Sequence, residues 1–229
     1  MAMTTRDVMR GMALAACLSA PALAAADDGT HIGAAVTAGL SGLGLDAGVN
    51  ITDYVGVRAT FATLSFSHNG DYSTSVEWNA QARLRQAGVL LDIYPFAGAF
   101  HVTAGAVDDQ NKLSATAQPS ATGTLTFNGV SYPTSELTSA SAYVQWSKTV
   151  PYLGLGAGNL AGSAGFHFTV DAGVLFTGSP TANINVACAA GQSCPQLGPN
   201  VAAEQAKLQN NVHSLNLWPV LRIGVGYAF

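Results

Sequence analysis

The chain has 229 residues, of which 48% are hydrophobic and only 10% charged, and its formal net charge at pH 7 is −4. Ordinary soluble domains carry about 25% charged residues, and a nucleic-acid-binding domain presents basic clusters that this sequence lacks. The composition therefore argues against an ordinary soluble domain and against a nucleic-acid partner.

The first 26 residues have the order of segments expected of a secretory signal peptide. Arg6 and Arg10 supply a basic start, a short apolar stretch follows, and the alanine-rich end fits a small-residue cleavage site. An alternative is a lipoprotein, because the Leu-Ala-Ala-Cys sequence ending at Cys17 resembles a lipoprotein cleavage box. We expect residues 1–26 to be a signal peptide and residues 27–229 to form one domain.

The exported part of the chain contains eight short segments in which large apolar residues occupy every second position. Glycine, alanine, threonine or a charged residue occupies the positions between them. A period of two predicts β-strands with two different faces. An even number of such strands in an exported chain poor in charge predicts an all-β fold, an eight-stranded antiparallel transmembrane β-barrel. The segments are 32–40, 43–51, 55–62, 87–93, 100–106, 150–156, 166–176 and 221–229.

The connections between the segments alternate in length, which predicts an orientation. The turns after the second, fourth and sixth segments are short, whereas the connections after the third, fifth and seventh are long. Outer-membrane barrels have short periplasmic turns and longer external loops, so we expect an outer-membrane location with both termini periplasmic. The long connections include a polar loop at 68–77 and a Ser/Thr/Ala/Gly-rich segment at 117–142. The first external connection, Ser41-Gly42, departs from the pattern because it is short.

Two further expectations concern the strands themselves. Pro151 cannot donate to a sheet ladder, so the sixth segment is expected to contain a bulge or irregular pairing there. A soluble eight-stranded carrier is the alternative to a membrane barrel. In such a carrier the large residues would surround a ligand, and the outer face of Gly, Ala and Thr would suit water poorly.

The last segment has a pattern of its own. Large apolar residues alternate up to a terminal aromatic residue, and aromatic side chains are typical of the interfacial girdle of membrane barrels. This ending resembles the sorting signal that the outer-membrane barrel assembly machinery reads, which implies that machinery as a partner. The residues of this predicted assembly signal are Leu221, Ile223, Val225, Tyr227 and Phe229.

Three stretches together resemble the small outer-membrane proteins of the CarO type, which are described as ornithine-uptake porins. They are VPYLGLGAGN at 150–159, FNGVSY at 127–132 and NLWPVLRIGVGYAF at 216–229. In that family a similar Pro-Tyr-Leu-Gly strand, a short charged helix and a Pro-Val opening of the last strand occur in this order. The resemblance implies a short helix at 202–212, in the last long loop.

The alternation places several charged and polar residues on the lumen side, where an eight-stranded barrel is narrow and largely filled by side chains. Unpaired buried charges are costly, so three acids and two bases in this space are expected to pair. One interpretation is a salt-bridged plug, and the other is a polar path for small zwitterionic solutes. The predicted lumen residues are Asp46, Arg58, Asp92, His101, His167, Asp171 and Arg222, whereas Arg83, Arg85 and Lys148 are expected nearer strand ends.

Function is predicted to lie in transport or in surface contacts rather than in catalysis. The sequence lacks a G-x-S-x-G nucleophile elbow, and its His residues have no metal-ligand spacing, so we expect no enzyme, metal or cofactor. The leading hypothesis is a narrow porin-like channel for small solutes. The alternative is a non-conducting barrel whose external loops contact lipopolysaccharide or other partners. Cys188 and Cys194, an even pair in an oxidising compartment, are predicted to form a disulfide.

Deletion of Phe229 is expected to impair outer-membrane insertion and leave export unchanged, because it removes the end of the predicted assembly signal. The measurement is the amount of heat-modifiable barrel in the outer-membrane fraction, with Phe100→Ala as the control for loss of an aromatic residue elsewhere. A normal level of heat-modifiable barrel after the deletion would contradict the sorting role.

Overall fold

The computed structural model describes residues 31–73, 76–118 and 123–229. The predicted signal peptide lies outside the described residues. Within them the chain forms thirteen β-strands, one α-helix and a 3-10 turn at Thr134–Glu136. These elements are β1 (Ile32–Gly39), β2 (Gly42–Thr52), β3 (Val55–Ser73), β4 (Val76–Ile93), β5 (Phe100–Asp109), β6 (Lys112–Gln118), β7 (Thr124–Phe127), β8 (Val130–Pro133), β9 (Leu137–Gln145), β10 (Lys148–Ala157), β11 (Gly165–Leu175), β12 (Thr181–Cys188), α1 (Leu197–Val212) and β13 (Trp218–Ala228).

Eight of these strands form a closed antiparallel barrel. The pairing runs β1, β2, β3, β4, β5, β10, β11, β13 and back to β1. Closure pairs the backbone groups of each strand with a neighbour on both sides, as a sheet surrounded by lipid requires. The predicted eight-stranded barrel is therefore confirmed, and each of the eight predicted segments falls on one of its strands.

The two faces of the barrel strands differ as the alternation predicts. Val36 and Ile223 on the outward face are 61% and 60% exposed, whereas Thr37 and Arg222 beside them on the inward face are 2% and 6% exposed. At these positions large apolar side chains face outward and polar ones face the lumen. This is the reverse of the arrangement expected of a soluble carrier.

The barrel has two distinct ends. The first, called here the terminal rim, carries both ends of the described chain and the short turns β2–β3, β4–β5 and β10–β11. The opposite end, the loop rim, carries the β1–β2 turn and all of the longer segments. At the loop rim β3 and β4 do not stop, because they continue as a hairpin through residues 64–73 and 76–86.

This hairpin begins a second sheet that rises above the loop rim. β6 pairs with β4 over Glu77–Arg83, β9 pairs with β6, and β12 pairs with β9. We call the surface formed by 63–73, 76–85, β6, β9 and β12 the outer sheet. The prediction of a polar loop at 68–77 is therefore wrong. From residue 68 to residue 73 nearly every position is polar, so hydropathy does not distinguish two faces of a strand. The strand is recognised here from its backbone pairing with β4.

The segment at 117–142 is also structured where it is described. It contains the β7–β8 hairpin, joined through Asn128 and Gly129 at positive φ, and the first part of β9. The hairpin packs with α1 on one face of the outer sheet. The buried residues of this small core are Ala117, Leu125, Phe127, Tyr132, Leu137, Ala140 and Leu197.

The helix α1 confirms the predicted helix in the last long loop, but it begins five residues earlier than expected, at Leu197. Pro199 suggests a break, yet proline is tolerated in a first helical turn, where its missing N–H has no intrahelical partner. Gln209 and Gln205 on α1 accept hydrogen bonds from the N–H groups of Ala182 and Ile184, at 2.8 and 3.2 Å. The helix thus covers part of the edge of β12.

Helices are otherwise a minor part of the fold. Across residues 31–73, 76–118 and 123–229, no helix is both long enough and apolar enough to span a membrane.

The irregular pairing expected at Pro151 is wrong, because the β5–β10 register runs without a shift from Lys148 to Ala157. The carbonyl of Pro151 accepts a hydrogen bond from the N–H of Phe176, at 3.0 Å, on the β11 side. In an antiparallel strand the N and C=O of one residue point to the same side. The missing donor of Pro151 therefore faces Phe176, beyond the end of the β10–β11 ladder, and leaves the β5–β10 pairing intact.

Cys188 and Cys194 form the predicted disulfide, which joins the end of β12 to the segment before α1. Maleimide labelling of the unreduced mature protein is expected to modify no thiol, and labelling after reduction to modify two. Mass spectrometry of the intact chain measures both. Two modified cysteines without reduction would show that the bridge does not form in the cell envelope.

Candidate functional site in the barrel lumen

The centre of the lumen is occupied by Arg58, which projects inward from β3 and is only 2% exposed. Its guanidinium contacts three carboxylates from three other strands. Nη2 and Nη1 donate to the two oxygens of Asp171 at 2.7 and 3.0 Å, Nη1 donates to Asp46 at 3.2 Å, and Nη2 donates to Asp92 at 3.0 Å. The bond pair with Asp171 is bidentate, the geometry that a planar guanidinium favours.

These contacts cross the full width of the barrel. Around the ring, β11 is the fourth strand from β3 in either direction, so Arg58 and Asp171 come from directly opposite walls. Asp46 and Asp92 come from β2 and β4, the two strands beside β3. One side chain therefore ties together both sides of the ring and blocks the lumen at this level.

A second cation extends the network toward the loop rim. Arg222 on β13 donates to Thr60 and lies 3.6 Å from Asp46. The Thr60 hydroxyl in turn donates a hydrogen bond to Asp46, at 2.7 Å. On the opposite side Thr103 donates to Asp92 at 2.6 Å. Each of the three carboxylates thus accepts from at least two partners, which offsets the cost of burying its charge.

His101 adds an imidazole to this group. Its Nε2 lies 3.1 Å from Asp171, its Nδ1 lies 3.3 Å from the carbonyl of Ala99, and its ring meets the edge of Tyr94. A nucleophilic site needs a hydroxyl or thiol in contact with the base. The two hydroxyls of the network, Thr60 and Thr103, donate to carboxylates instead, so the cluster has the contacts of a structural ion network.

The lumen on the loop side of this network is packed with apolar side chains. Buried residues from β4, β5, β10, β11 and β13 meet there, and Tyr152 lies over Gly154 and Gly173, where a Cβ would come within 2.4 Å of the tyrosine hydroxyl. A cavity of about 10 Å³ beside Arg222 and Gln86 has room for about one water molecule. The residues of this apolar layer are Leu90, Val107, Val150, Tyr152, Leu175 and Val220.

The terminal-rim end is filled by the β10–β11 turn. Leu160 in this turn is 5% exposed, and Asn159 accepts a hydrogen bond from Asn50 of β2 at 2.9 Å. Glycine is required where the turn meets the wall. A Cβ at Gly33 would lie 1.9 Å from the Leu160 carbonyl oxygen, and one at Gly226 would lie 2.6 Å from the Leu160 side chain. The lumen is thus occupied at three successive levels.

The structure brings together six of the seven predicted lumen residues: Asp46, Arg58, Asp92, His101, Asp171 and Arg222. His167 is separate. It lies half-buried near the terminal rim, and its Nε2 is 2.6 Å from the carbonyl oxygen of Ser163. Within the described residues, no group of three or more His, Cys, Asp or Glu side chains is arranged to hold a metal ion.

Sequence reasoning missed the polar residues that close the lumen near the loop rim. Ser41 donates to Gln86 at 2.8 Å, and Asp109, which is fully buried, accepts from the backbone N–H of Asn111. Gln86 and Asp109 occupy inward positions of β4 and β5, so extending the period of two along these strands would have placed both residues in the lumen. Ser41 and Asn111 lie in turns, where periodicity carries no such information.

The residues of the predicted assembly signal line the outside of the final strand. Leu221, Ile223, Val225 and Tyr227 are 41–60% exposed on the outward face of β13. Phe229 follows the strand, and its N–H donates to the carbonyl of Ile32 on β1 at 2.8 Å. The ring of Tyr227 meets the rings of both Phe166 and Phe229 with centroids 5.2 Å apart, so aromatic residues gather at the terminal rim.

Replacing Arg58 with Met is expected to destabilise the barrel by about 3–5 kcal/mol, because it leaves buried carboxylates without their shared cation. Arg222→Met is expected to cost less, since Asp46 keeps its bond to Arg58. Lys148→Met, at an exposed position, is the control. Urea unfolding in lipid vesicles, followed by tryptophan fluorescence, measures the free energy of unfolding of the three variants and so their order of stability. Equal stability of the Arg58 and Lys148 variants would show that the network does not hold the barrel together.

The fold has solved counterparts among outer-membrane proteins. CarO2 of Acinetobacter baumannii is similar with a TM-score of 0.56 and 18% sequence identity, over 87% of this chain and 98% of that one. CarO of the same organism is similar with a TM-score of 0.55 and 21% identity, over 86% and 97%. No family model and no curated protein matches the sequence. The chain therefore has the fold of the CarO-type outer-membrane barrels.

Proposed function

We propose that the mature chain, residues 27–229, is an integral outer-membrane protein whose closed barrel acts as an anchor for the folded segments at its loop rim. In this proposal the terminal rim faces the periplasm and the outer sheet faces outside. The barrel does not conduct solutes, and its surface function belongs to the outer sheet, the β7–β8 hairpin and α1. The leader and the terminal strand serve export and recognition by the barrel assembly machinery.

The outward face of the barrel supports the membrane location. Leu43 and Leu45 on β2, Val89 on β4 and Phe168 on β11 are 54–75% exposed. Monomeric soluble proteins rarely expose continuous apolar surfaces larger than a few hundred Å². A band of this kind round a closed ring has lipid as its natural partner, and the aromatic residues at the terminal rim suit the lipid–water interface.

The observation that carries the closed-barrel proposal is the contact of Arg58 with carboxylates on both walls. A solute passing through would have to separate Arg58 from Asp171, and each ion would then lose its partner in a space of low dielectric. The apolar layer above and the Leu160 turn below would have to move as well. These three obstacles make the lumen a packed interior rather than a path.

A narrow porin-like channel for small solutes is the second candidate. The small cavity between the ion network and the loop rim has the polar side chains of Arg222 and Gln86 in its lining. The network also offers both signs of charge, as a zwitterionic solute would require. A CarO-type fold is compatible with both candidates, because proteins that share a fold can carry different functional sites.

Purified, folded protein in planar lipid bilayers is expected to give no steady conductance above that of the lipid alone. A general porin added to the same bilayer serves as the positive control, and heat-modifiability shows that the protein is folded. Steady single-channel steps in the wild type, with an ion selectivity that changes in Asp171→Asn, would overturn the closed-barrel proposal and favour the channel.

A further inference from the structure

The outward face of β4 changes character at one position. From Ile93 up to Ala87 its outward residues are apolar, and from Arg85 upward they are charged or polar. The neighbouring β3 changes at the same height, because Phe61 is followed on the outward face by Thr63, which is the register partner of Arg85. This height marks where the apolar band of the barrel ends and the wall of the outer sheet begins.

Three cations gather immediately above this boundary. Arg83 and Lys112 are cross-strand partners in the β4–β6 ladder, and Arg85 lies two residues from Arg83 on the same face. We call Arg83, Arg85 and Lys112 the basic wall patch. The prediction that Arg83 and Arg85 lie near strand ends is wrong, because both lie inside the long strand β4.

Aromatic rings lie beside two of these cations. The guanidinium of Arg85 is 5.9 Å from the centroid of the Phe61 ring, at the top of the apolar band, and the Lys112 ammonium is 4.2 Å from the centroid of the Tyr143 ring. Arg83 and Arg85 are exposed and Lys112 is half-buried. Long basic side chains that lie along apolar surface with their charges at its polar edge are typical of a membrane interface.

The cations of the patch are not paired with carboxylates in the part of the chain that the structure describes. None of its three cations forms an ion pair there, in contrast to Arg58 and Arg222 in the lumen and Lys207 on α1. The carboxylate of Asp108, an outward residue of β5, accepts a hydrogen bond from Gln110 instead. The positive charge of the patch is therefore open to an external anion.

Above the patch the same wall carries hydroxyl and amide groups on three strands. These side chains can donate and accept hydrogen bonds with a neutral polar partner. They are Ser65 and Ser67 on β3, Asn79 and Gln81 on β4, and Ser114 and Thr116 on β6.

We propose that this wall binds the headgroup of a phosphorylated glycolipid of the outer leaflet. The phosphates contact the basic wall patch, the sugars contact the hydroxyl and amide groups above it, and the acyl chains lie along the apolar band below. Positive charge at the boundary, a polar hydrogen-bonding wall above and apolar surface below match the three parts of such a lipid in order. The inference rests on the proposed function, because it needs the outer sheet to face outside.

The probe for the test is purified diphosphoryl lipid A, titrated into folded protein in neutral detergent and followed by native mass spectrometry. The triple variant Arg83→Gln, Arg85→Gln, Lys112→Gln is expected to bind about 100-fold more weakly than the wild type, from three lost headgroup contacts. The double variant Lys148→Gln, Lys207→Gln is the control, because it removes exposed charges away from the wall. The conservative variant Arg83→Lys, Arg85→Lys is expected to retain most of the binding.

Several outcomes decide the proposal. Dephosphorylated lipid A should bind the wild type and the triple variant equally. A loss in the triple variant no larger than in the control, or equal binding of phosphatidylglycerol and lipid A, would overturn the glycolipid site. Heat-modifiability of each variant shows that it is folded, and if the triple variant does not fold, the single variants Arg83→Gln and Lys112→Gln replace it. A wild type that fails to insert into lipid vesicles would instead refute the membrane proposal itself.

Discussion

The structure depends on one constraint: the carboxylates and guanidinium groups inside the barrel are buried away from bulk solvent and must satisfy one another. Arg58 meets this constraint by bonding to Asp171 on the opposite wall and to Asp46 and Asp92 on the strands beside it. A shift of one residue in the pairing of any of these strands would turn a charge toward the lipid. The network therefore disfavours alternative registers, while the apolar layer above it fills the remaining space.

The same strands serve two environments along their length. In the barrel, β3 and β4 face lipid on one side and the packed lumen on the other. Above the loop rim the same two strands belong to the outer sheet, and their two faces have other surroundings. One face of the outer sheet packs against the β7–β8 hairpin and α1, and the other presents the basic wall patch. The change at Ala87 and Arg85 on β4 thus coincides with the change from the ring to the outer sheet, where β6 replaces β5 as the partner of β4.

Much of the barrel could be predicted from the sequence because its signals are local. A period of two, with large apolar residues on one face, is read from neighbouring positions, and it identified all eight barrel strands and the side on which Arg58 and Asp171 lie. Prediction failed in three places. Residues 68–73 are polar at nearly every position and concealed the end of β3, and Pro199 concealed the start of α1. On β4 the alternation of Val76, Trp78, Ala80, Ala82 and Leu84 was present but was not recognised.

Other features were decided by the tertiary structure alone, because they join residues distant in sequence. Periodicity places Arg58 in the lumen, but only ring closure makes β11 its opposite wall and Asp171 its bidentate partner. The sequence identifies Gly33 only as a small inward residue. The structure shows that glycine is needed there, because the β10–β11 turn brings the backbone of Leu160 against it. The sequence by itself determined which side of each strand faces lipid, since hydropathy is a property of each residue. The structure determined which charges meet and which, like Arg83, remain open, since pairing depends on register across strands.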